Sequence, residues 1–151
     1  MKKVCISGYF DPLHVGHLEY INKAKELGDY LVVIVNNNLQ CKLKKGKFFM
    51  DEKDRVEIVK NLKSVDEVFL SIDKDKTVSK SLEKLKPSVF ANGGDRDQTN
   101  IPEMSEKDIE FIFSIGGDEK MNSSSWILKN WQYYFEKRIW GSFYNFRIAK
   151  N

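Results

Sequence analysis

The chain has little cysteine, little proline and no long apolar run. Of its 151 residues, two are cysteine, three are proline and two are histidine. Two cysteines make neither a disulfide framework nor a metal-ligand spacing, so we expect free thiols in a reducing compartment. No apolar stretch approaches the roughly 20 residues of a membrane helix, and no signal-peptide pattern is visible. The sequence therefore predicts a cytoplasmic protein with no membrane partner.

Neither sign of charge dominates the chain. There are 25 basic and 22 acidic residues, a formal net charge of +3, and 41% of the residues are hydrophobic. This balance is typical of a globular protein, and so small a net charge does not by itself indicate nucleic acid. We expect no nucleic-acid partner and one domain that spans residues 1–151.

Apolar runs alternate with helix-like segments, which predicts βαβ units and a parallel sheet. The expected strands are residues 3–7, 30–35, 68–70, 88–91 and 111–115. The expected helices are residues 15–27, 51–62, 79–85 and a long C-terminal helix from Ser123, while residues 36–50 are expected to form a lysine-rich loop. We therefore predict an α/β fold with a doubly wound, Rossmann-like parallel sheet of about five strands, which binds ligands beyond the carboxyl ends of its strands.

Both histidines lie where a predicted strand gives way to a predicted helix. His14 and His17 flank Gly16 shortly after the apolar run at residues 4–6. A helix N-terminus attracts phosphate because its first N–H groups lack partners and carry partial positive charge. Two imidazoles add donors there, and Gly16 lets a ligand approach the backbone closely. The pattern indicates a phosphate site.

Residues 8–17, G-Y-F-D-P-L-H-V-G-H, resemble the G-x-F-D-x-x-H-x-G-H signature of the cytidylyltransferase-like nucleotidyltransferases. That family includes heptose-1-phosphate adenylyltransferases, glycerol-3-phosphate cytidylyltransferases and archaeal FAD synthetases. The resemblance runs from Met1 to about Leu128 and leaves a C-terminal helical aromatic tail, residues 129–151, outside it. It implies transfer of a nucleotidyl group from a nucleoside triphosphate (NTP), accompanied by Mg²⁺, to a small phosphorylated metabolite such as a sugar phosphate, with release of pyrophosphate.

The resemblance also implies roles for individual residues. It assigns catalysis to His14, His17 and Lys45, and it assigns the substrate phosphate to Asp11, Lys42 and Arg55. It assigns the nucleotide to Tyr9, Phe10, Gly16, Asn92, Gly93, Gly94, Asp95, Ser123, Ser124 and Ser125. Lys44 and Lys47, in the same basic segment, are expected to be solvated only.

Two of these residues have alternative interpretations that the sequence leaves open. Asp11 either contacts Mg²⁺ or braces its own loop as an Asx turn. Arg55 either reaches the substrate phosphate or is an exposed helical arginine that pairs with Asp51 or Asp54. A planar fork of donors suits a phosphate, which favours the first role for Arg55.

Two segments favour an adenylyltransferase over a cytidylyltransferase. Residues 92–96, N-G-G-D-R, resemble the K-G-G-D-Y of heptose-phosphate adenylyltransferases, with Asn92 in place of the lysine. Residues 118–122, D-E-K-M-N, lack the arginine of the R-T-E-G-I that the related cytidylyltransferases carry. We therefore expect ATP as the donor. The alternatives are a cytidylyltransferase acting on a polyol phosphate or phosphonate, and a non-catalytic nucleotide-binding module.

The segment after Ser125 is rich in aromatic and basic side chains. Its aromatic residues include Trp131, Tyr133, Tyr134, Phe135, Trp140, Phe143, Tyr144 and Phe146. Aromatics interleaved with cations occur in surfaces that bind single-stranded nucleic acid. The simpler interpretation, which we favour, is a helix packed on the sheet with a last segment that completes the core or a dimer interface.

We predict that the protein is a homodimer and that the tail from Trp131 supports the dimer. One helical face cannot bury so many aromatics, extensive apolar surface marks an interface, and twofold pairing is the commonest closed assembly. Light scattering of the full chain and of a truncation after Lys129 tests this. A full-length monomer at micromolar concentration would contradict the dimer, and a dimeric truncation would remove the tail from its explanation.

Overall fold

The computed structural model describes residues 1–93, 108–116 and 122–149, with side chains in these ranges up to Ile139. The strands are β1 (Lys3–Gly8), β2 (Tyr30–Val35), β3 (Glu67–Leu70), β4 (Val89–Gly93) and β5 (Glu110–Ile115). The helices are α1 (Val15–Lys25), α2 (Asn38–Lys45), α3 (Glu52–Lys60), α4 (Ser79–Leu85) and α5 (Ser124–Ala149).

All five strands are parallel, in the order β3-β2-β1-β4-β5. From β1, the chain adds β2 and then β3 on one side. It then returns to the other side of β1, where it adds β4 and then β5. The order therefore reverses between β1 and β4, and ligands of such sheets bind beyond the carboxyl ends of the strands at this reversal. The predicted α/β fold with a doubly wound sheet is confirmed.

Alternate strand residues pack on opposite faces of the sheet. On the α1 face, α1 and α3 cover a cluster that includes Val4, Ile6, Leu31, Val33 and Ala91. On the α4 face, α4 covers a cluster that includes Cys5, Val32, Ile34 and Phe90. The run at residues 30–35 is apolar without interruption because a central parallel strand is buried on both faces. Both cysteines are free and buried, as expected.

The prediction of an uninterrupted loop over residues 36–50 is wrong, because α2 forms within it. The Asn37 side chain accepts a hydrogen bond from Gln40 N (2.9 Å), and Gln40 Oε1 accepts one from Asn37 N (3.1 Å). This reciprocal capping box starts the helix. Gly46, with φ of 82°, ends it in the left-handed conformation that glycine adopts readily. Caps, rather than an apolar stripe, mark this helix in the sequence.

The favoured packing of the C-terminal helix on the sheet is also wrong for residues 129–139. From Lys129 to Ile139 every side chain of α5 is exposed, with Trp131 60% and Phe135 55% accessible. The start of the helix contacts the rest of the domain through Ser124, and the preceding Ser123 is buried. Within the part of the chain that the structure describes, no helix is long and apolar enough to cross a membrane.

Candidate active site

The N-termini of α1 and α5 lie side by side at the carboxyl end of β1. Ser124 Oγ donates a hydrogen bond to Pro12 O (2.7 Å) in the loop that leads into α1. A Cβ on Gly16 would lie 3.7 Å from Asn122 O, just before α5. The partial positive ends of two helices therefore meet at one place, and each attracts an anion there.

The two predicted histidines cap α1 with one ring nitrogen each. His14 Nδ1 accepts from Gly16 N (3.1 Å), and His17 Nδ1 accepts from His14 N (3.2 Å). The two rings stack with centroids 3.8 Å apart. Because each Nδ1 is an acceptor, the neutral form of each ring carries its hydrogen on Nε2. The pair thus presents two Nε2–H donors beside the helix N-termini.

His17 is a neutral donor rather than a cation. Its pKa is lowered to about 3, first by burial and then by the electrostatic effects of His14 and Lys45. Phe10 supports the ring edge-on, with centroids 4.9 Å apart. A neutral imidazole still donates a full hydrogen bond to a phosphate oxygen, so His17 keeps one protonation state across the physiological pH range.

Lys45 brings a positive charge to the histidines. Its Nζ donates to Asp11 O (3.1 Å) and lies 3.6 Å from Asp11 Oδ2 and 5.7 Å from the centre of the Tyr9 ring. Lys45 is the last residue of α2, so the helix that the sequence analysis missed is the element that delivers it. Lys44, expected to be only solvated, lies 4.4 Å from the same Tyr9 ring centre.

Asp11 braces its loop. The carboxylate is fully buried and accepts from Phe49 N (2.8 Å) and Met50 N (2.7 Å), with Lys45 beside it. Both N–H groups belong to a segment distant in sequence, so Asp11 braces its loop against residues 49–50 and not through the expected Asx turn. This bracing role is favoured over a contact with Mg²⁺ or a substrate phosphate. Among the described residues, no group of three or more His, Cys, Asp or Glu side chains is placed to hold a metal ion.

Arg55 is wholly buried, and both roles proposed from the sequence need correction. Its guanidinium donates to the carbonyl oxygens of Tyr9, Asn36 and Met50, and to Asn38 Oδ1. Four of its donors are used inside the protein, so it neither reaches a phosphate nor pairs at the surface. The sequence places Arg55 correctly on a helix, and its position four residues before Val59 was the available signal that it lies on the inward face.

The remaining predicted residues have different outcomes. Ser123, Ser124 and Ser125 open α5, where Ser123 Oγ accepts from Trp126 N (3.2 Å) and lies 3.1 Å from Ser125 Oγ. Lys42 lies over the ring of Phe48, 5.5 Å from its centre, and its phosphate contact stays a prediction. Phe10 is buried and packs on His17 rather than facing a nucleotide.

Asn92 and Gly93 end β4, whereas Gly94, Asp95 and residues 118–121 lie outside the described residues.

One residue of this site was not identified from the sequence. Tyr20 Oη donates to Ala91 O (2.9 Å), and its ring fills the space in front of Gly93, where a Cβ would lie 2.9 Å from Tyr20 Cδ2. Tyr20 follows His17 by three residues and therefore lies on the same side of α1. That spacing was the available signal. The position of the Tyr20 ring explains why position 93 needs glycine.

A family model described as cytidylyltransferase-like matches residues 5–131. The chain belongs to this family. It is 46% identical over 96 residues to an FAD synthase of Ferroglobus placidus, and that alignment covers 64% of this chain and 61% of the relative. It is 41% identical over 96 residues to the bifunctional protein HldE of Geobacter metallireducens, covering 62% of this chain and 19% of HldE.

A solved structure has the same fold. The lipopolysaccharide core biosynthesis protein from Thermoplasma volcanium GSS1 superposes with a TM-score of 0.64 at 30% identity, over 76% of this chain and 96% of its own. The FAD synthase alignment spans only about three fifths of that relative's length.

Replacing Arg55 with lysine should destabilise the protein. One ammonium group cannot bond to acceptors on three separate segments, and buried carbonyls left unpaired are costly, so we expect the free energy of unfolding to fall by about 3 kcal/mol or more. Urea denaturation measures this, with exposed Arg138→Lys as the matched control. Wild-type stability combined with lost activity in Arg55→Lys would instead restore the phosphate role.

The lowered pKa of His17 predicts a specific pH dependence of stability. The unfolded chain takes up this proton near pH 6.5 and the folded chain only near pH 3, so this stability is present above pH 6.5 and is lost as the pH falls towards 3. The loss approaches about 1.4 kcal/mol per pH unit. Urea denaturation of wild type and His17→Gln at several pH values isolates the effect. Parallel pH profiles would contradict it.

Proposed function

We propose that the chain is a nucleotidyltransferase that transfers a nucleotidyl group from an NTP to a small phosphorylated metabolite and releases pyrophosphate. The observation that carries this is the convergence of two helix N-termini, two imidazole Nε2–H donors and the Lys45 ammonium beside the point where strand order reverses. Such a set of donors matches a triphosphate better than a single phosphate.

The reaction needs positioning and charge stabilisation from the protein. A phosphate oxygen of the acceptor attacks the α-phosphorus of the NTP, and the bond from that phosphorus to the pyrophosphate oxygen breaks. The attacking phosphate is already an anion, so no covalent enzyme intermediate is required. The Nε2–H groups of His14 and His17, the partial positive charge at the two helix N-termini and Lys45 are suited to the charge that grows on the departing oxygens. Mg²⁺ would accompany the triphosphate and neutralise part of its charge; we assign it no ligand from the chain.

Similarity to relatives supports ATP as the donor. FAD contains an adenylyl group, and several archaeal relatives are FAD synthases. The same relatives make flavin mononucleotide (FMN) the first acceptor to test. Sugar phosphates come next, because HldE and the lipopolysaccharide core biosynthesis protein are also similar to this chain. CTP with a polyol phosphate or phosphonate remains the alternative pair.

The homodimer remains part of the proposal and gains support from α5. Exposed side chains along this helix include Trp131, Tyr133, Tyr134, Phe135 and Ile139. A second copy of the chain would remove this apolar surface from water.

Pyrophosphate release tests the function directly. Each of the four common NTPs is incubated with FMN, a sugar 1-phosphate or glycerol 3-phosphate in the presence of Mg²⁺, and products are identified by mass. We expect turnover with ATP and one acceptor. Tight NTP binding without turnover on any pair would favour the non-catalytic module.

Substitutions that keep the helix cap but remove the imidazoles should slow turnover strongly. Asn is a favoured cap residue and Gln suits the third helical position of a capping box, so His14→Asn and His17→Gln retain α1. We expect each to lower kcat by roughly a hundredfold, the scale of losing one transition-state donor. A folded double variant with near wild-type kcat would contradict the assignment.

Lys45→Ala and Lys47→Ala form a matched pair for the positive charge. Lys45 is held at Asp11 beside the histidines, whereas Lys47 is exposed after α2 has ended. We expect weaker nucleotide or acceptor binding in Lys45→Ala and near-normal binding in Lys47→Ala. Equal effects would indicate a diffuse electrostatic field instead of a placed cation.

A further inference from the structure

The Asn92 side chain carries a buried hydrogen-bond donor with no acceptor. The residue is 2% exposed, and its Nδ2 is the only buried side-chain nitrogen or oxygen without a partner in the part of the chain that is described. Folded proteins rarely leave such a donor unpaired, because its removal from water costs free energy that no hydrogen bond inside the protein offsets. An unpaired buried donor at the end of a strand in a ligand-binding sheet therefore points to a missing ligand atom.

The strand geometry shows which way this donor faces. Ala91 belongs to the cluster on the α1 face, and a Cβ on Gly93 would meet the Tyr20 ring of α1. Phe90 belongs to the cluster on the α4 face. Because side chains alternate along a strand, Asn92 lies on the α4 side of the sheet, opposite the side covered by α1 and its histidines.

The neighbouring strand is irregular at the same level. Ala91 pairs with Ile112 and Gly93 pairs with Ile115, so β5 has one residue more than β4 between these pairs. Ser114, within this bulge, has φ of 55°, an uncommon left-handed conformation for a residue other than glycine. Bulges redirect side chains and interrupt pairing beside binding sites. Here the interruption lies alongside Asn92.

The reaction itself requires two substrates on opposite sides of one phosphorus atom. The attacking and leaving oxygens are roughly in line in phosphoryl-type transfer. If the pyrophosphate end of the NTP lies against His14, His17 and the helix N-termini, the acceptor must approach from the opposite side. Asn92 lies on the face of the sheet that α1 and its histidines do not cover, which favours the acceptor over the pyrophosphate end of the NTP.

We infer that Asn92 Nδ2 donates a hydrogen bond to the acceptor metabolite and helps to select it, an inference that rests on the proposed nucleotidyltransferase function. The sequence comparison placed Asn92 with the nucleotide, whereas its position opposite α1 favours the acceptor. The amide is uncharged, so it matches an acceptor that offers a carbonyl oxygen, hydroxyl oxygen or ring nitrogen there. A lysine at this position would favour a second anionic group instead.

The test is the substitution Asn92→Leu, which keeps the approximate shape of the side chain and removes the donor. Calorimetry measures binding of ATP, FMN and glucose 1-phosphate separately, and urea denaturation measures stability. We expect affinity for the bound acceptor to fall roughly tenfold, affinity for ATP to change less than about twofold, and the urea midpoint to stay level or rise, because an unpaired donor is lost. Asn130→Leu, the same change at an exposed position of α5, is the control.

Three results would overturn the inference. In the first, Asn92→Leu loses as much affinity for ATP as for the acceptor, or more. In the second, Asn92→Leu has a lower urea midpoint while its acceptor affinity is unchanged. In the third, the wild-type chain binds neither FMN nor glucose 1-phosphate. Pyrophosphate release by the wild type is measured in parallel. If binding follows the expected pattern while no pyrophosphate appears, the proposed function fails and the contact of Asn92 with the second ligand stands.

Discussion

The guanidinium of Arg55 is the contact on which the ligand-binding edge depends. It holds the carbonyl of Tyr9 after β1, the carbonyl of Asn36 after β2, the carbonyl of Met50 before α3 and the side chain of Asn38 at the start of α2. These acceptors lie on three segments that are distant in sequence, at residue 9, residues 36–38 and residue 50, and that meet at the carboxyl edge of the sheet. A buried cation is expensive in free energy unless its donors are matched. The correct arrangement of the three segments therefore depends on one side chain.

The placement of the Lys45 ammonium follows from this anchor. With its N-terminus held through Asn38, α2 runs in a fixed direction and ends with Lys45 at the Asp11 carboxylate. Asp11 in turn accepts the backbone N–H groups of Phe49 and Met50, and Met50 returns to Arg55 through its carbonyl. These contacts form one connected network of polar groups. Each hydrogen bond in it strengthens its neighbours, and the loss of one partner weakens the others. A positive charge on a long flexible side chain is thereby held beside the histidines.

Sequence alone was sufficient for features with local causes. β-branched runs specified the strands, glycine and proline marked the ends of elements, and the histidine motif located the junction between β1 and α1, where both rings cap the helix. It was insufficient where burial decides the outcome. Arg55 lies four residues before the buried Val59, but a charged residue at that position is expected at the surface until β1, β2 and α2 supply its buried acceptors. The lysine-rich α2 is marked by its caps, and its Leu39 and Leu43 are exposed. The aromatic composition of α5 indicated more apolar surface than one face can bury, but not that every side chain from 129 to 139 is exposed.

The histidine pair shows how a structural and a chemical task share one side chain. Nδ1 of each ring is engaged with the backbone of the first turn, which fixes the ring and its tautomer and leaves the hydrogen on Nε2. Burial, and after it the charges of His14 and Lys45, lower the pKa of His17, so this ring is neutral. A neutral donor binds the anionic substrate less tightly than a cation does, so more of its hydrogen-bond energy remains for the charge that develops as pyrophosphate departs. Lys45, partly offset by Asp11, supplies the positive charge that the neutral His17 ring lacks.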